Sequence, residues 1–516
     1  MEGCAIRITM HFFPVGQVAV DYAYDHSGMD FGTHYYQAMD SWDTKQPVGD
    51  PNFASVPYSD KRMESFTPSE KFKESNFSID GHSLIIDYAF SDAFNIKSLT
   101  AYRELDESFY QDYSANPNVP RLFMNDPFIT KQDQFSQELQ FTGALDRYTY
   151  IAGLYYFKEH GKETATDYLS LQFPPFVPFG AYQLQSRQTK AVNEAVAVYG
   201  QLTYTPPVLE DRLAITAGLR YTEDDRSVDV TRTQAFDGVT FANVKASNKW
   251  DNLSGTLIAS YEIADNQSAY LKFSQGYRTG GFNGRGTRPD AVQLQIDEET
   301  VEAYELGYKS EWFERRLRSN IAFYQMDYKD LQLSFATQGD PADVRFFNAG
   351  NAEMKGVELD VTAVPLDGLL ISLQYAYLDS EIKGVTNPYT GQPDPHKYAL
   401  PSAPEQTYAV DVEYTLAPLA IGILIANINY SWRDRVVTSA DNAPGAYIDR
   451  YNLLNTRLAL TEILVSIEGE LKLTLRGKNL ADKEYLVDSV GAFSWAEQTG
   501  AFGQPRSYGI DITYEF

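Results

Sequence analysis

A chain of 516 residues, 43% hydrophobic and 14% aromatic with a mean hydropathy of -0.38, contains no apolar run of the roughly 18–20 residues that a spanning helix needs. Its formal net charge of -27 argues against direct binding to nucleic acid or an anionic bilayer surface, since both require clustered Lys and Arg. Cys4 is the only cysteine, which excludes an intrachain disulfide and a cysteine metal site.

The chain opens on MEGCAIRITMHFF, which has one early Arg but neither the apolar run nor the small-residue cleavage site of a secretory signal. Residues 4–13 read instead as a strand of about ten residues, the length that crosses a bilayer. A short turn at 14–17 follows, and then residues 27–75, which are too long for an ordinary loop and are expected to form a large surface excursion. Farther along, Leu213, Ile215, Ala217, Leu219 and Tyr221 alternate with Ala214, Thr216, Gly218, Arg220 and Thr222. The same two-faced rhythm returns in Leu369, Ile371, Leu373, Tyr375 and Tyr377, with Leu370 as the exception. The longest apolar stretch, LAPLAIGILIANINY at 416–430, is too short for a spanning helix and is broken by Pro418 and Asn427. Leu471, Leu473 and Leu475 then alternate with Lys472, Thr474, Arg476 and Lys478. The final strand sets Tyr508, Ile510, Ile512, Tyr514 and Phe516 against Gly509, Asp511, Thr513 and Glu515. A face of Lys, Thr, Arg and Lys must be hydrated, so the opposite, oily face is expected to meet lipid.

The connections alternate in length. Short ones lie at 14–17, 91–94, 144–147, 206–211, 264–267 and 365–368. Long ones, rich in Gly, Pro, Asn, Asp and Tyr, lie at 27–75, 112–130, 166–187, 228–247, 279–298, 381–402, 436–449 and 486–504. This is the layout of an up-and-down transmembrane β-barrel with short periplasmic turns and long extracellular loops. The fold class expected is therefore all-β, an antiparallel barrel of about 18–19 strands forming one domain over residues 1–516. The six histidines (His11, His26, His34, His82, His160 and His396) lack HExxH or paired spacing, and no metal site is expected.

Four segments in order resemble the TonB-dependent outer-membrane receptors: FSQGYRTGGFN (273–283) with EETVEAYELGYKSEW (298–312), FFNAGNAEMKGVELD (346–360), LRGKNLADKEY (475–485) and GQPRSYGIDITYEF (503–516). Their residues also have local readings. Gly276, Gly280 and Gly281 suit a strand end turning with positive φ; Asn348, Gly350 and Asn351 suit a turn or bulge; Pro505 suits the opening of a strand.

The resemblance implies a 22-stranded family barrel, so about three strands and the N-terminal plug domain are expected to be missing here, along with the signal. An incomplete barrel must either close 19 strands with a parallel seam, or close about 18 if residues 4–13 stay unpaired. The resemblance further implies a bacterial outer-membrane location and TonB-energised uptake of a scarce ligand, foremost a ferric siderophore. The expected partners are outer-membrane lipid, a small ligand and the TonB complex, reached through the missing N-terminal portion, with the protein itself a monomer. No cofactor and no catalytic residue is expected, and the chain alone is not expected to be transport-competent. Loop residues that would contribute to binding are Tyr277, Arg278, Phe282, the segment Pro174 to Gly180, and Tyr389, none assigned as a site. The alternatives are a receptor for cobalamin or an oligosaccharide, a passive pore, an outer-membrane barrel enzyme, and a soluble all-β adhesin or propeller. The adhesin would have to bury both strand faces.

Overall fold

The computed structural model describes residues 2–32, 35–39, 58–65, 73–91, 93–113, 123–169, 183–235, 238–337, 340–387, 391–394, 397–441, 445–466, 469–490 and 498–515. Among the described residues, nineteen strands form one sheet. The first nine are β1 (Glu2–Val15), β2 (Val18–Phe31), β3 (Ser75–Ser91), β4 (Phe94–Asp112), β5 (Phe123–Leu145), β6 (Tyr148–Leu169), β7 (Gln183–Tyr204), β8 (Leu213–Gln234) and β9 (Phe241–Ala264). Then come β10 (Gln267–Arg278), β11 (Glu299–Trp312), β12 (Leu317–Thr337), β13 (Asp340–Leu366) and β14 (Leu369–Lys383). The last five are β15 (Gln406–Thr415), β16 (Ile423–Arg433), β17 (Tyr451–Ser466), β18 (Gly469–Lys478) and β19 (Ser507–Glu515). Each strand pairs antiparallel with the next.

Register carries the alternation from strand to strand, because cross-strand partners share a face. Leu219 pairs with Gly255, Ala217 with Leu257, and Leu475 with Ile510, all on one side. That side is exposed: Leu219 and Leu253 keep 62% of their surface, Leu271 59% and Ile512 71%. A soluble protein does not leave such a band uncovered, so the oily face is the lipid face and the adhesin reading fails. The opposite face carries Arg220, Lys472, Arg476, Asp511 and Glu515, and Arg476 pairs with Asp511 across β18 and β19 at 3.0 Å. Aromatic pairs mark the rims of the band, among them Tyr148 stacked on Tyr204 and Tyr408 stacked on Trp432.

The short turns fall where the sequence placed them, whereas the long connections do not keep their predicted bounds. β5 begins at Phe123, inside the predicted 112–130 loop, and β8 runs on to Gln234, inside 228–247. Residues such as Val228, Val230 and Thr231 favour strands, and the hairpins continue past the membrane as paired ribbons. A reading that sizes strands to the bilayer stops them too early.

Strand β1 contains residues 4–13, which pair with β2 from Glu2↔Asp30 to Val15↔Val18. Nineteen antiparallel neighbours leave β1 and β19 pointing the same way. Among the described residues no ladder joins them, so neither expected mode of closure is present. The two ends nonetheless meet above the wall. Tyr36–Ala38, which follows β2, pairs antiparallel with Thr499–Phe502, which precedes β19, and that segment pairs with Leu486–Val490. This pairing requires the sheet to curl until its ends face each other. Arg62 adds an ion pair to Asp482 at 3.4 Å, and the Met39 N–H donates to the Gln498 carbonyl at 3.1 Å. The Asp482 carboxyl is held below its usual range, first by the Arg506 backbone N–H and then by the Arg506 and Arg62 charges. Tyr36 donates to Asp488, and burial followed by this bond raises its phenol.

The receptor-like segments act as structural devices. At Asn348 the ladder between β12 and β13 skips a residue: Leu331 faces Gly350, while Gln332 faces Asn348. Asp330 beside it has φ 55°, so of the turn or bulge expected ahead of a strand this is a bulge, and it lies inside β13 rather than before it. The Asn479 amide donates to the Lys483 and Gln504 carbonyls at 2.9 and 3.1 Å, tying the end of β18 to the approach of β19. Phe516 lies outside the described residues.

Candidate ligand-binding mouth

Residues 279–298 leave β10, turn inward and return to β11. Their course is set by side chains from both sides of the wall. From one side, the Thr189 hydroxyl donates to the Gly284 carbonyl at 2.7 Å, and Arg232 donates to the Thr287 carbonyl at 2.8 Å. From the other, Gln332 donates to the Thr279 and Asp297 carbonyls, and the Asn348 amide donates to Asp297 at 2.9 Å. Asn283 accepts from the Phe346 N–H at 2.7 Å. Thr189 and Arg232 stand on the inward register of β7 and β8, which places the segment against the inner side of the curled sheet. A five-residue helix, Pro289–Gln293, buries Ala291 and Val292, and Val292 packs on Val228 and Val230 of β8.

Charge is concentrated where the segment meets β6 and β7. Glu163 takes Arg187 on one carboxylate oxygen and Arg285 on the other, each at 3.1 Å. The Arg187 side chain is only 6% exposed, and the Arg285 guanidinium also lies over the Phe128 ring at 5.1 Å. Nearby, Arg226 Nε, Trp250 Nε1, Thr279 Oγ1 and Glu298 Oε2 are buried with no hydrogen-bond partner among the described residues. Burial pushes the Glu298 carboxyl up from its usual value. Buried donors and acceptors seldom go unmet, and these four atoms mark the sector as a polar one. It contains anchored cations and aromatic rings, an arrangement that can bind.

Tyr277, Arg278 and Phe282 are all brought to this mouth. The Tyr277 hydroxyl donates to Asp224 at 2.6 Å, and Phe282 meets the Trp250 ring edge-on at 5.7 Å. Both therefore hold the segment in place, while Arg278 is exposed. Pro174 to Gly180 and Tyr389 lie outside the described residues. Glu163, Arg187, Arg226 and Trp250 went unread in the sequence. Their only signal there is polarity on the inward register beyond the membrane, because nothing in the chain order joins Glu163 to Arg285.

Gly276, Gly280 and Gly281 do not take positive φ, contrary to the expectation. Gly280 is needed for closeness: a Cβ there would overlap the Ile296 carbonyl and the Trp250 indole. Gly280→Ala is expected to cost about 1–3 kcal/mol of overpacking and to unseat the segment. The check is a red shift of indole emission relative to a Trp250→Phe background; unchanged emission would mean the backbone gives way without cost.

The family model described as TonB dependent receptor-like, beta-barrel matches residues 14–480. The pesticin receptor of Yersinia enterocolitica is 28% identical over 257 residues, covering 48% of this chain and 34% of that protein. The probable TonB-dependent siderophore receptor PiuA of Acinetobacter baumannii is 23% identical over 415 residues, covering 72% and 52%. The chain thus spans between a third and about half of the length of these relatives. Among solved structures, the ferric yersiniabactin uptake receptor FyuA of Yersinia pestis superposes with a TM-score of 0.78 at 18% identity, over 100% of this chain and 71% of that one. The siderophore receptor PiuA of Acinetobacter baumannii follows at 0.73 and 16%, over 99% and 73%. With the lipid-facing band, the polar interior and a family match over most of its length, this chain belongs to the TonB-dependent receptor-like β-barrel family, whose members are outer-membrane proteins.

Proposed function

We propose that the protein forms the barrel wall and extracellular mouth of a receptor for TonB-energised uptake of a ferric siderophore. The observation that carries this reading is the inward-turned segment 279–298, tied to the wall by Glu163 through Arg285 and by Arg232, beside buried polar atoms that lack a partner among the described residues. Fixed guanidinium groups beside aromatic rings suit a bulky, polar, oxygen-rich ligand. The relatives are named as receptors for siderophores or for pesticin, which supports the same substrate class. Cobalamin and oligosaccharides remain the competing cargoes.

The test is binding to the purified chain in detergent, followed by fluorescence quenching with ferric yersiniabactin, ferripyoverdine, cyanocobalamin and a maltooligosaccharide. Saturable quenching by a ferric siderophore, reduced by Arg187→Ala, is expected. Saturation by cyanocobalamin or the oligosaccharide alone would reassign the cargo. Steady conductance across a planar bilayer, with no saturable ligand at all, would favour a passive pore.

A further inference from the structure

The mouth also holds a carboxyl outside the contacts described above. Asp167 lies near the end of β6, in the ribbon beyond the membrane and on the same inward register as Glu163. It is half-buried and stands opposite Asn125 of β5 and Gln185 of β7. Among the described residues its one hydrogen bond is from the Gln185 amide, at 3.4 Å. Gln185 is itself fixed from behind, since Arg232 donates to its side-chain oxygen at 2.5 Å. The same guanidinium donates to the Thr287 carbonyl. A relay therefore runs from Asp167 through two buried side chains to the middle of the inward segment.

Four titratable or charged groups face this carboxyl. Glu163 stands on its own strand, Arg187 on β7, Arg285 on the inward segment, and Tyr113 just past the end of β4. Both guanidinium groups are already held by Glu163, and among the described residues neither makes an ion pair with Asp167. A half-buried carboxylate held by one long bond from a neutral amide is under-satisfied. It is relieved either by taking up a proton or by meeting water as the segment lifts off the wall. Burial pushes the Asp167 carboxyl up from its usual range, against the pull of Arg187, of Arg285 and of the Gln185 bond.

We propose that Asp167 is a protonation-sensitive latch of the mouth, its neutral form seating residues 283–292 on the wall and its carboxylate loosening them. With the segment lifted, Asp167 lies in water and ionises at about pH 4. With the segment seated, it keeps its proton to a higher pH. Seating is therefore favoured by acid and is lost as pH rises from the first value through the second, by up to about tenfold per pH unit because one proton is involved. The latch acts on the segment whatever the cargo, so it stands or falls separately from the siderophore reading.

The experiment is hydrogen exchange of the full chain in neutral detergent from about pH 4 to about pH 7, corrected for the intrinsic pH dependence of exchange. It is read at residues 283–292, which include the Gly284, Gly286 and Val292 amides bonded within the segment. Opening in the parent protein is expected to rise through the lower part of this range and then to level off. Asp167→Asn, which replaces the carboxyl by an uncharged group of the same size, is expected to stay at the acid level throughout. Glu298→Gln removes the other carboxyl raised by burial, at the far foot of the segment, and is expected to keep the rise at 283–292. Exchange in β10 and β11 serves as the folding control for each variant. Opening in the parent protein that does not change with pH overturns the proposal. So does a rise that persists unchanged in Asp167→Asn, or one that disappears only in Glu298→Gln.

Discussion

Glu163→Ala will loosen the inward segment 279–298, as the loss of amide protection across those residues in hydrogen exchange. The carboxylate joins two arginines with different surroundings. Arg187 is almost fully buried, whereas the Arg285 side chain is 65% exposed. Removing the partner of a buried charge costs about 3–5 kcal/mol. Because Glu163 itself keeps 22% of its surface, the lower end, about 3 kcal/mol, is expected here. That cost falls on the β6–β7 wall beneath the segment; the segment's own tie to Glu163, through exposed Arg285, is worth up to about 1 kcal/mol, so its local opening should rise roughly 5-fold. Arg285→Ala leaves the Arg187 pair intact and removes only an exposed contact, so its effect should stay within about 1 kcal/mol. Equal protection in Glu163→Ala and the parent protein would show that the backbone anchors from Thr189, Arg232 and Asn348 suffice alone. If the mouth is the binding site, siderophore quenching should weaken in step with the exchange data.

Leu257→Arg should destabilise the barrel in vesicles by about 2–4 kcal/mol, the cost of a cation near the middle of the lipid face. Leu257 is 52% exposed and pairs with Ala217 halfway along the apolar run of both strands. Thr256→Arg is the paired control. It adds the same side chain one residue away, on the inward face, where water and the carboxylates of the lumen can receive it. The two variants are compared by urea unfolding monitored by gel mobility. Similar losses would mean the two faces have been assigned wrongly, and with them the membrane orientation. A loss confined to Leu257→Arg confirms the outward register for β8 and β9 together, since a slip of one residue would exchange the two results.

The charge pattern explains why such opposite outcomes are expected one residue apart. Along β18, Leu471, Leu473 and Leu475 face lipid while Lys472, Thr474 and Arg476 face the interior, and Arg476 finds Asp511 on β19. Each strand declares its two faces by composition alone, because a period of two needs no information from elsewhere in the chain. The short turns are equally local: residues such as Pro365 to Gly368 combine turn chemistry, and Gly368 does take φ 83°. The all-β class, the up-and-down order and the residue-level assignment of lipid and lumen faces were therefore contained in the amino-acid order. The Asn348 region was only half legible: its residues read as a turn or bulge ahead of a strand, whereas they form a bulge inside β13, with the Asn348 amide donating to Asp297 some fifty residues earlier.

Tertiary structure alone decided how far the strands continue past the membrane, how the sheet's ends meet, and where the mouth lies. Strand length beyond the bilayer depends on whether a hairpin partner follows, as for Val228 and Val230, which are buried beneath Val292 from a segment some sixty residues later. The joining of Tyr36–Ala38 to Thr499–Phe502 links opposite ends of the chain, and no local pattern encodes a partner at that separation. Periodicity is a property of short stretches, whereas clasps and charge clusters arise from pairs of residues that only folding brings within a few ångströms.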